Sequence, residues 1–235
     1  MCSIILRLSD TGVEIAANRD EMAARAWEPP AEYWPGILGG RDTLAGGTWL
    51  ALNRHGVMAA LLNREGTLGP AAGKRSRGDL PLRALAASTT TAAAESLAGL
   101  DASDYRPFNL VLADATTIIF LRGLGDGTLQ PRALGPGTHM VTAGEPDDAT
   151  LPRIARHLPR FAAAPFALWG ALLADSSGAR LEKLNIPAAE NHGFGTVCAT
   201  LLTLPRTGAP AQTFAAGPPD IAPFHPVVWS PRTWI

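Results

Sequence analysis

Cys2 stands directly behind the initiator methionine, and the alternating apolar run that follows it ends in Asn18-Arg19-Asp20-Glu21. If Met1 is removed, Cys2 carries a thiol and a free α-amine on one residue. The amine's ordinary pKa of ~7.7–8.0 lets it act as a base near neutrality. One residue then supplies nucleophile and base, as in threonine-type sites that use their own amine. An adjacent Arg19 would favour the thiolate. Asp20 could orient the ammonium form through a charge-assisted hydrogen bond. Cys2 is small enough to permit processing, so removal of Met1 is expected. The plainer alternative makes Cys2 a small hydrophobe at a strand start and Arg19-Asp20 an exposed pair.

The elements around these residues bring them together. Residues 2–8 and 13–19 flank Ser9-Asp10-Thr11-Gly12, a hairpin signal in which Gly12 can take a positive φ. If Leu8 pairs with Val13, Cys2 lies opposite Arg19. If the turn is one residue tighter, Cys2 lies opposite Asp20. Directly opposed side chains have Cβ atoms ~5 Å apart, so either register delivers Cys2 beside Arg19-Asp20. Consecutive strand residues point to opposite faces. Arg19 and Asp20 can therefore both reach Cys2 only where the strand ends or bulges.

Further along, 20–46 is rich in Pro and Gly and reads as a long ordered loop. Strands are expected at 48–54 and 57–63, then a second loop over 64–78. Asp79 can cap a helix over 80–88, and 91–100 continues as a second helix. Strands follow at 108–113, 117–122 and 138–142. Residues 147–161, trimmed by Pro152 and Pro159, and 166–175 read as helices. A long apolar strand covers 196–204, with 211–215 as its hairpin partner, and the tail after Gly217 carries little regular structure. Strands 108–113 and 196–204 are apolar on both faces and so must be covered twice. A single domain over 1–235 with an α+β, four-layer α-β-β-α sandwich of two mainly antiparallel sheets satisfies this.

The 235 residues are 46% hydrophobic and 17% charged, with a net charge of −1. This is a globular composition with enough apolar mass for a core. It offers no concentrated basic surface for nucleic acid, and Lys74-Arg75-Ser76-Arg77 reads as a solvated loop. Two cysteines, Cys2 and Cys198, are too few for a disulfide framework. Arg7, Ser9 and Asp10 interrupt any secretory apolar segment, and no run approaches the ~20 apolar residues of a membrane span. A cytoplasmic location is expected. Cys198, inside an apolar strand, is expected in the core. Five scattered histidines show no metal-ligand spacing, and no metal site is expected.

Met1-Cys2, Asn18-Arg19-Asp20-Glu21 and Gly46-Gly47-Thr48-Trp49-Leu50 together resemble the NRDE family, also called the transport and Golgi organisation protein 2 family. "PFNLVLAD" at 107–114 and "GFGTV" at 193–197 fall where that family has similar segments. The family is similar to N-terminal-nucleophile hydrolases of the cholylglycine hydrolase and penicillin V acylase type, which implies the same four-layer fold. Carried over by motif, Cys2 matches the nucleophile and Arg19 and Asp20 the charged pair beside it. Asn63 resembles the asparagine that helps form the oxyanion hole. Asn18, Gly47, Thr48 and Trp49 belong to the same motifs and are expected in the binding site. The glycines would let a tight loop pass the nucleophile, with Trp49 anchoring the next strand. Tyr33 and Trp34 could wall an apolar pocket or pin their loop. The resemblance also exposes departures. "HMVTAGEP" offers Ala143 and Gly144 where the acylases carry a second asparagine, and Val197 and Cys198 stand where many relatives carry a late arginine.

The expectation is a cysteine N-terminal-nucleophile hydrolase acting on a linear amide or related acyl bond of a small-molecule substrate, with no cofactor. The family's links to haem trafficking and acyl-lipid metabolism imply a rival: a non-catalytic carrier of haem or an acyl ligand in the same cleft. Haem ordinarily takes a His, Cys, Met or Tyr ligand, and Cys2 is the best single candidate.

Overall fold

A computed structural model describes residues 2–228 of the chain. Strands β1 (Ser3–Ser9) and β2 (Gly12–Met22) form the first hairpin, followed by β3 (Trp27–Trp34), β4 (Ile37–Asp42), β5 (Leu50–Asn53) and β6 (Met58–Asn63). Helices α1 (Asp79–Ala84) and α2 (Thr90–Ala98) precede β7 (Phe108–Ala113), β8 (Ile118–Gly123), β9 (Gln130–Leu134) and β10 (Gly137–Val141). Helices α3 (Pro152–Ala163) and α4 (Trp169–Leu173) lead to β11 (Phe194–Pro205), β12 (Ala211–Ala215) and β13 (Phe224–Pro226). One sheet has the order β10-β1-β2-β11-β12-β13 and the other runs from β3 to β9 in sequence order. Every described pairing is antiparallel.

Strand periodicity explains the layers. In β1, Ile4, Leu6 and Leu8 enter the core between the sheets, while Ile5 faces α3 and α4. In β7, Val111 and Ala113 enter the same inter-sheet core, while Phe108, Leu110 and Leu112 pack beneath α1 and α2. Both faces of these strands are therefore dry, and the result is the expected α-β-β-α sandwich. A buried leucine such as Leu110 contributes ~2–5 kcal/mol against truncation to alanine.

Several local expectations fail. The span 20–46 is not a loop, because β2 continues to Met22 and β3 and β4 occupy most of the rest. Pro29 and Pro30 are tolerated because β3 is an edge strand whose pairing to β4 is twice interrupted. The glycines of β4 serve close packing, since a Cβ on Gly40 would lie 2.2 Å from the Trp49 ring. Helix α1 ends at Ala84 and is capped by Gly78, not Asp79, whose carboxylate instead pairs with Arg75 and Arg83. Helix α3 starts only at Pro152, because Asp147 turns the chain at φ 62° and accepts from Met140 N. Its Pro159 sits inside the helix. Residues 166–168 form a 3-10 turn before α4. Strand β9 went unpredicted because this edge strand is exposed along most of its length. The short β13 adds regular structure beyond Gly217. Removal of Met1 concerns a residue outside the described ones.

Candidate active site

The register of the first hairpin pairs Leu8 with Val13 and Ser3 with Asn18. One step further sets Cys2 across from Arg19, the first of the two registers considered. Arg19 pairs in turn with Cys198 on β11. Directly opposed residues of neighbouring strands share a face, so the Arg19 guanidinium lies on the inter-sheet face between two thiols. Arg19 is only 6% exposed. Its Nη2 donates to Asp42 Oδ2 at 3.4 Å, and its guanidinium stacks 4.3 Å from the centre of the Trp49 ring. Its Nη1 is buried without a hydrogen-bond partner among the described residues. Burial of Arg19 and Asp20 removes the alternative of an exposed surface pair.

Asp20 projects from the opposite face. Its carboxylate accepts from Thr196 Oγ1 at 2.7 Å and from Arg153 Nη1 at 3.3 Å, and Arg153 also reaches Ser3 Oγ. Asp20 touches the thiol through its backbone: its N–H donates to Cys2 Sγ at 3.4 Å, and its carbonyl lies 3.5 Å from the same sulfur. Alternation along β2 is thus respected, and both residues still meet Cys2. Thr196 comes into place through a bulge in β11. Thr196 pairs with Asp20 and Cys198 with Arg19, leaving Val197 without a partner on β2.

Arg19 favours the thiolate as expected, but burial and the Asp20 charge outweigh it and push the Cys2 thiol above its ordinary range. Burial drives Cys198 up as well, consistent with its place in the core.

A cleft of about 370 Å³ opens over Cys2 and Arg19. Asn63, at the end of β6, lines it together with Gly47, Thr48 and Trp49. Gly47 is required by close approach: a Cβ there would lie 2.4 Å from the backbone of Gly78. Thr48 N donates to Gly78 O at 3.0 Å, so the 64–78 loop is buttoned onto this motif. The remaining candidates fall elsewhere. Asn18 faces the helix layer and donates to the carbonyls of Leu173 and Leu184, holding that layer against the sheet. Tyr33 and Trp34 sit on the edge strand β3 and do not line the cleft. Tyr33 donates to Pro29 O and stacks against Trp34 and Arg41, so the pair pins its own strand.

Sequence reasoning missed several participants. Asp42 bridges Arg19 and Arg25, accepting from Arg25 Nε at 2.6 Å. Thr196 and Arg153 hold Asp20. Asn109, fully buried in "PFNLVLAD", donates to the carbonyls of Thr142 and Gly144 and ties down the stretch that lacks the second asparagine. Lys74, Arg75 and Ser76 are exposed, as a solvated loop requires, and with Arg77 they also line the cleft. Among the described residues no cluster of His, Cys, Asp and Glu could hold a metal ion, and no helix is long and apolar enough to cross a membrane.

Residues 1–166 match the family Transport and Golgi organisation 2. The chain is 33% identical over 137 residues to the Transport and Golgi organization protein 2 homolog of Homo sapiens, covering 53% of this chain and 48% of that protein. The Bos taurus homolog matches over the same length at 31% identity. The chain thus spans about half the length of the curated relatives it matches. Among solved structures it is similar to a Caenorhabditis elegans N-acylethanolamine-hydrolyzing acid amidase ortholog, with a TM-score of 0.60 and 14% identity over 86% of this chain and 92% of that one. It is also similar to penicillin V acylase from Agrobacterium tumefaciens, at 0.59 and 13% over 92% and 83%. A conjugated bile acid hydrolase from Clostridium perfringens follows at 0.52 and 11% over 98% and 97%. At these identities the structural likeness speaks for the fold alone, and that fold is the one reached from strand burial. The chain belongs to the Transport and Golgi organisation 2 family, built on the N-terminal-nucleophile hydrolase fold.

Proposed function

We propose that the protein is a cysteine amidohydrolase that cleaves a linear amide or related acyl bond. The observation that carries this reading is the position of the Cys2 thiol at a 370 Å³ cleft that Asn63 and Arg19 also line. In the proposed reaction, Cys2 Sγ attacks the acyl carbon and its proton passes to the α-amine of Cys2, freed by loss of Met1. Burial and the Asp20 charge disfavour the thiolate, and a base on the same residue offsets this. Asn63 donates a hydrogen bond to the developing oxyanion. The C–N bond breaks, the departing amine takes the proton, and water then hydrolyses the thioester. Asp20, anchored by Thr196 and Arg153, fixes the backbone that cradles the sulfur.

The rival is a carrier that uses the same cleft. For haem, the lining supplies Cys2 as an axial ligand and no His, Met or Tyr, so the rival keeps both haem and an acyl ligand as cargo. A panel of N-acyl amides assayed with wild type, Cys2→Ala and Asn63→Ala separates the readings. Cys2→Ala abolishes turnover while keeping ligand binding, and Asn63→Ala lowers kcat by ~10²–10³ with little change in KM. Turnover that survives Cys2→Ala refutes the proposal. Acyl-ligand binding without cleavage of any amide replaces it with the carrier.

A further inference from the structure

Cys2 and Asn63 reach the cleft from different sheets. Cys2 immediately precedes β1 in one, and Asn63 closes β6 in the other. The sheets meet mainly through apolar side chains, which hold them ~10 Å apart but do not direct how one slides on the other. The Asn63 carboxamide makes no hydrogen bond among the described residues, so its place at the cleft depends on how its backbone is held.

A polar tie between the sheets lies beside it. Asn109 on β7 pairs with Leu62 and is fully buried. Its Nδ2 donates to Thr142 O at 3.0 Å and to Gly144 O at 2.7 Å. Those carbonyls follow directly on β10, which ends with Val141 opposite Ile4 of β1, close to Cys2. Arg64, the residue after Asn63, donates from Nη1 to Asn109 Oδ1 at 2.7 Å and to Glu145 Oε1 at 3.2 Å. One guanidinium thus fastens the end of β6 to its own sheet and to the stretch leaving the other. Both donors and the acceptor of Asn109 are used, as burial of a polar side chain requires. Arg122 and Arg132 also approach Glu145, but among the described residues neither bonds to Asn109. Arg64 itself does not line the cleft.

We propose that Arg64 is a positioning residue for Asn63: through Asn109 and Glu145 it sets the separation of the Asn63 carboxamide from the Cys2 thiol across the gap between the sheets. Its effect on rate rests on the amidohydrolase reading; the geometry does not. A misplacement of about 1 Å in such a pair costs ~10²-fold in rate.

The test compares full-length wild type with Arg64→Met, Arg64→Lys, Arg132→Met and Asn63→Ala on the N-acyl amide that wild type cleaves best. Arg64→Met lowers kcat by about tenfold or more while KM stays within about twofold, and Arg64→Lys recovers part of the loss. Arg132→Met, which leaves the bond from Arg64 to Asn109 in place, keeps kcat within about twofold. In the Asn63→Ala background, adding Arg64→Met changes kcat by less than about twofold, because the donor it positions is already gone. An unchanged kcat in Arg64→Met, or a full multiplicative loss in the double variant, overturns the proposal. If Arg64→Met does not fold, Arg64→Lys, which keeps a cation beside Glu145, carries the same comparison. The side-chain amide signals of Asn63 in heteronuclear NMR give a second readout that needs no turnover. They shift in Arg64→Met and stay in place in Arg132→Met. Shifted signals in a protein that cleaves no amide end the hydrolase reading and keep the positioning. Signals unmoved by Arg64→Met end the positioning whatever the turnover.

Discussion

Asp20→Ala tests the architecture behind Cys2. Asp20 is 2% exposed, and its carboxylate joins Thr196 on β11 to Arg153 on α3. Removing it leaves a buried guanidinium facing an apolar methyl. Loss of one partner of a buried ion pair costs ~3–5 kcal/mol. Arg153 keeps its bond to Ser3 Oγ, which favours the lower part of that range, while the hydroxyl of Thr196 loses its acceptor at ~1 kcal/mol. The expected loss is therefore about 4 kcal/mol, a large share of the ~5–15 kcal/mol that stabilises an ordinary domain. With a urea slope of about 2–3 kcal/mol per molar, the unfolding midpoint followed by tryptophan fluorescence falls by about 1–2 M. Asp20→Asn keeps an acceptor for Thr196 and falls in between. Asp20→Leu combined with Arg153→Met recovers part of the loss, because neither charge is left stranded. A midpoint unchanged in Asp20→Ala, or a double variant weaker than both single ones, refutes the ion-pair reasoning.

Three further outcomes are expected. Cys2 alkylates slowly near neutral pH and faster as pH climbs past 9.0, with Cys198 slower still and Arg19→Met slowing Cys2 further, as timed labelling with peptide mass mapping would show. Both thiols hold their protons more tightly folded than unfolded, so the stability they contribute is present at neutral pH and lost as pH rises above the free-thiol value; equal labelling of the two contradicts this. Gly47→Ala drives a methyl into the Gly78 backbone and costs ~1–3 kcal/mol in urea unfolding, with loss of amide protection at Thr48. Asp147, bonded to His139 Nδ1 at 2.6 Å, raises the His139 pKa above 6.5; its stabilisation is present below that value and fades as pH rises through the folded one, and His139→Gln removes this dependence from unfolding midpoints taken across pH.

The parts of the fold legible in the sequence are those where local chemistry and burial agree. Ser9-Asp10-Thr11-Gly12 announces a hairpin, and its register alone carries Cys2 to Arg19. The doubly apolar β7 and β11 require two covering layers, and the sandwich follows. Strands β3 and β4 were hidden because proline and glycine mark loops on average, whereas here an edge position accommodates Pro29 and Pro30 and the Trp49 ring needs Gly40. Strand β9 has no alternation to read, since its side chains are mostly in water. Within the site, the motif residues around Cys2 were accessible because they are adjacent in sequence or across one hairpin. Thr196 and Arg153 are separated from Asp20 by 176 and 133 residues, and no local pattern connects them. Tyr33 and Trp34 lie on β3 at the sheet edge, outside the cleft lining.

The bulge in β11 has a consequence for how this site can change. Because Val197 stands outside the ladder, Thr196 and Cys198 keep their partners whatever side chain position 197 carries. Bulges next to functional sites re-aim a side chain without disturbing the strand around it. Position 197 therefore behaves as an interchangeable socket: its chemistry can be exchanged while the phase of the sheet is conserved. A substitution at Val197 is thus expected to leave Thr196 on Asp20 and Cys198 on Arg19, with no strand re-registered.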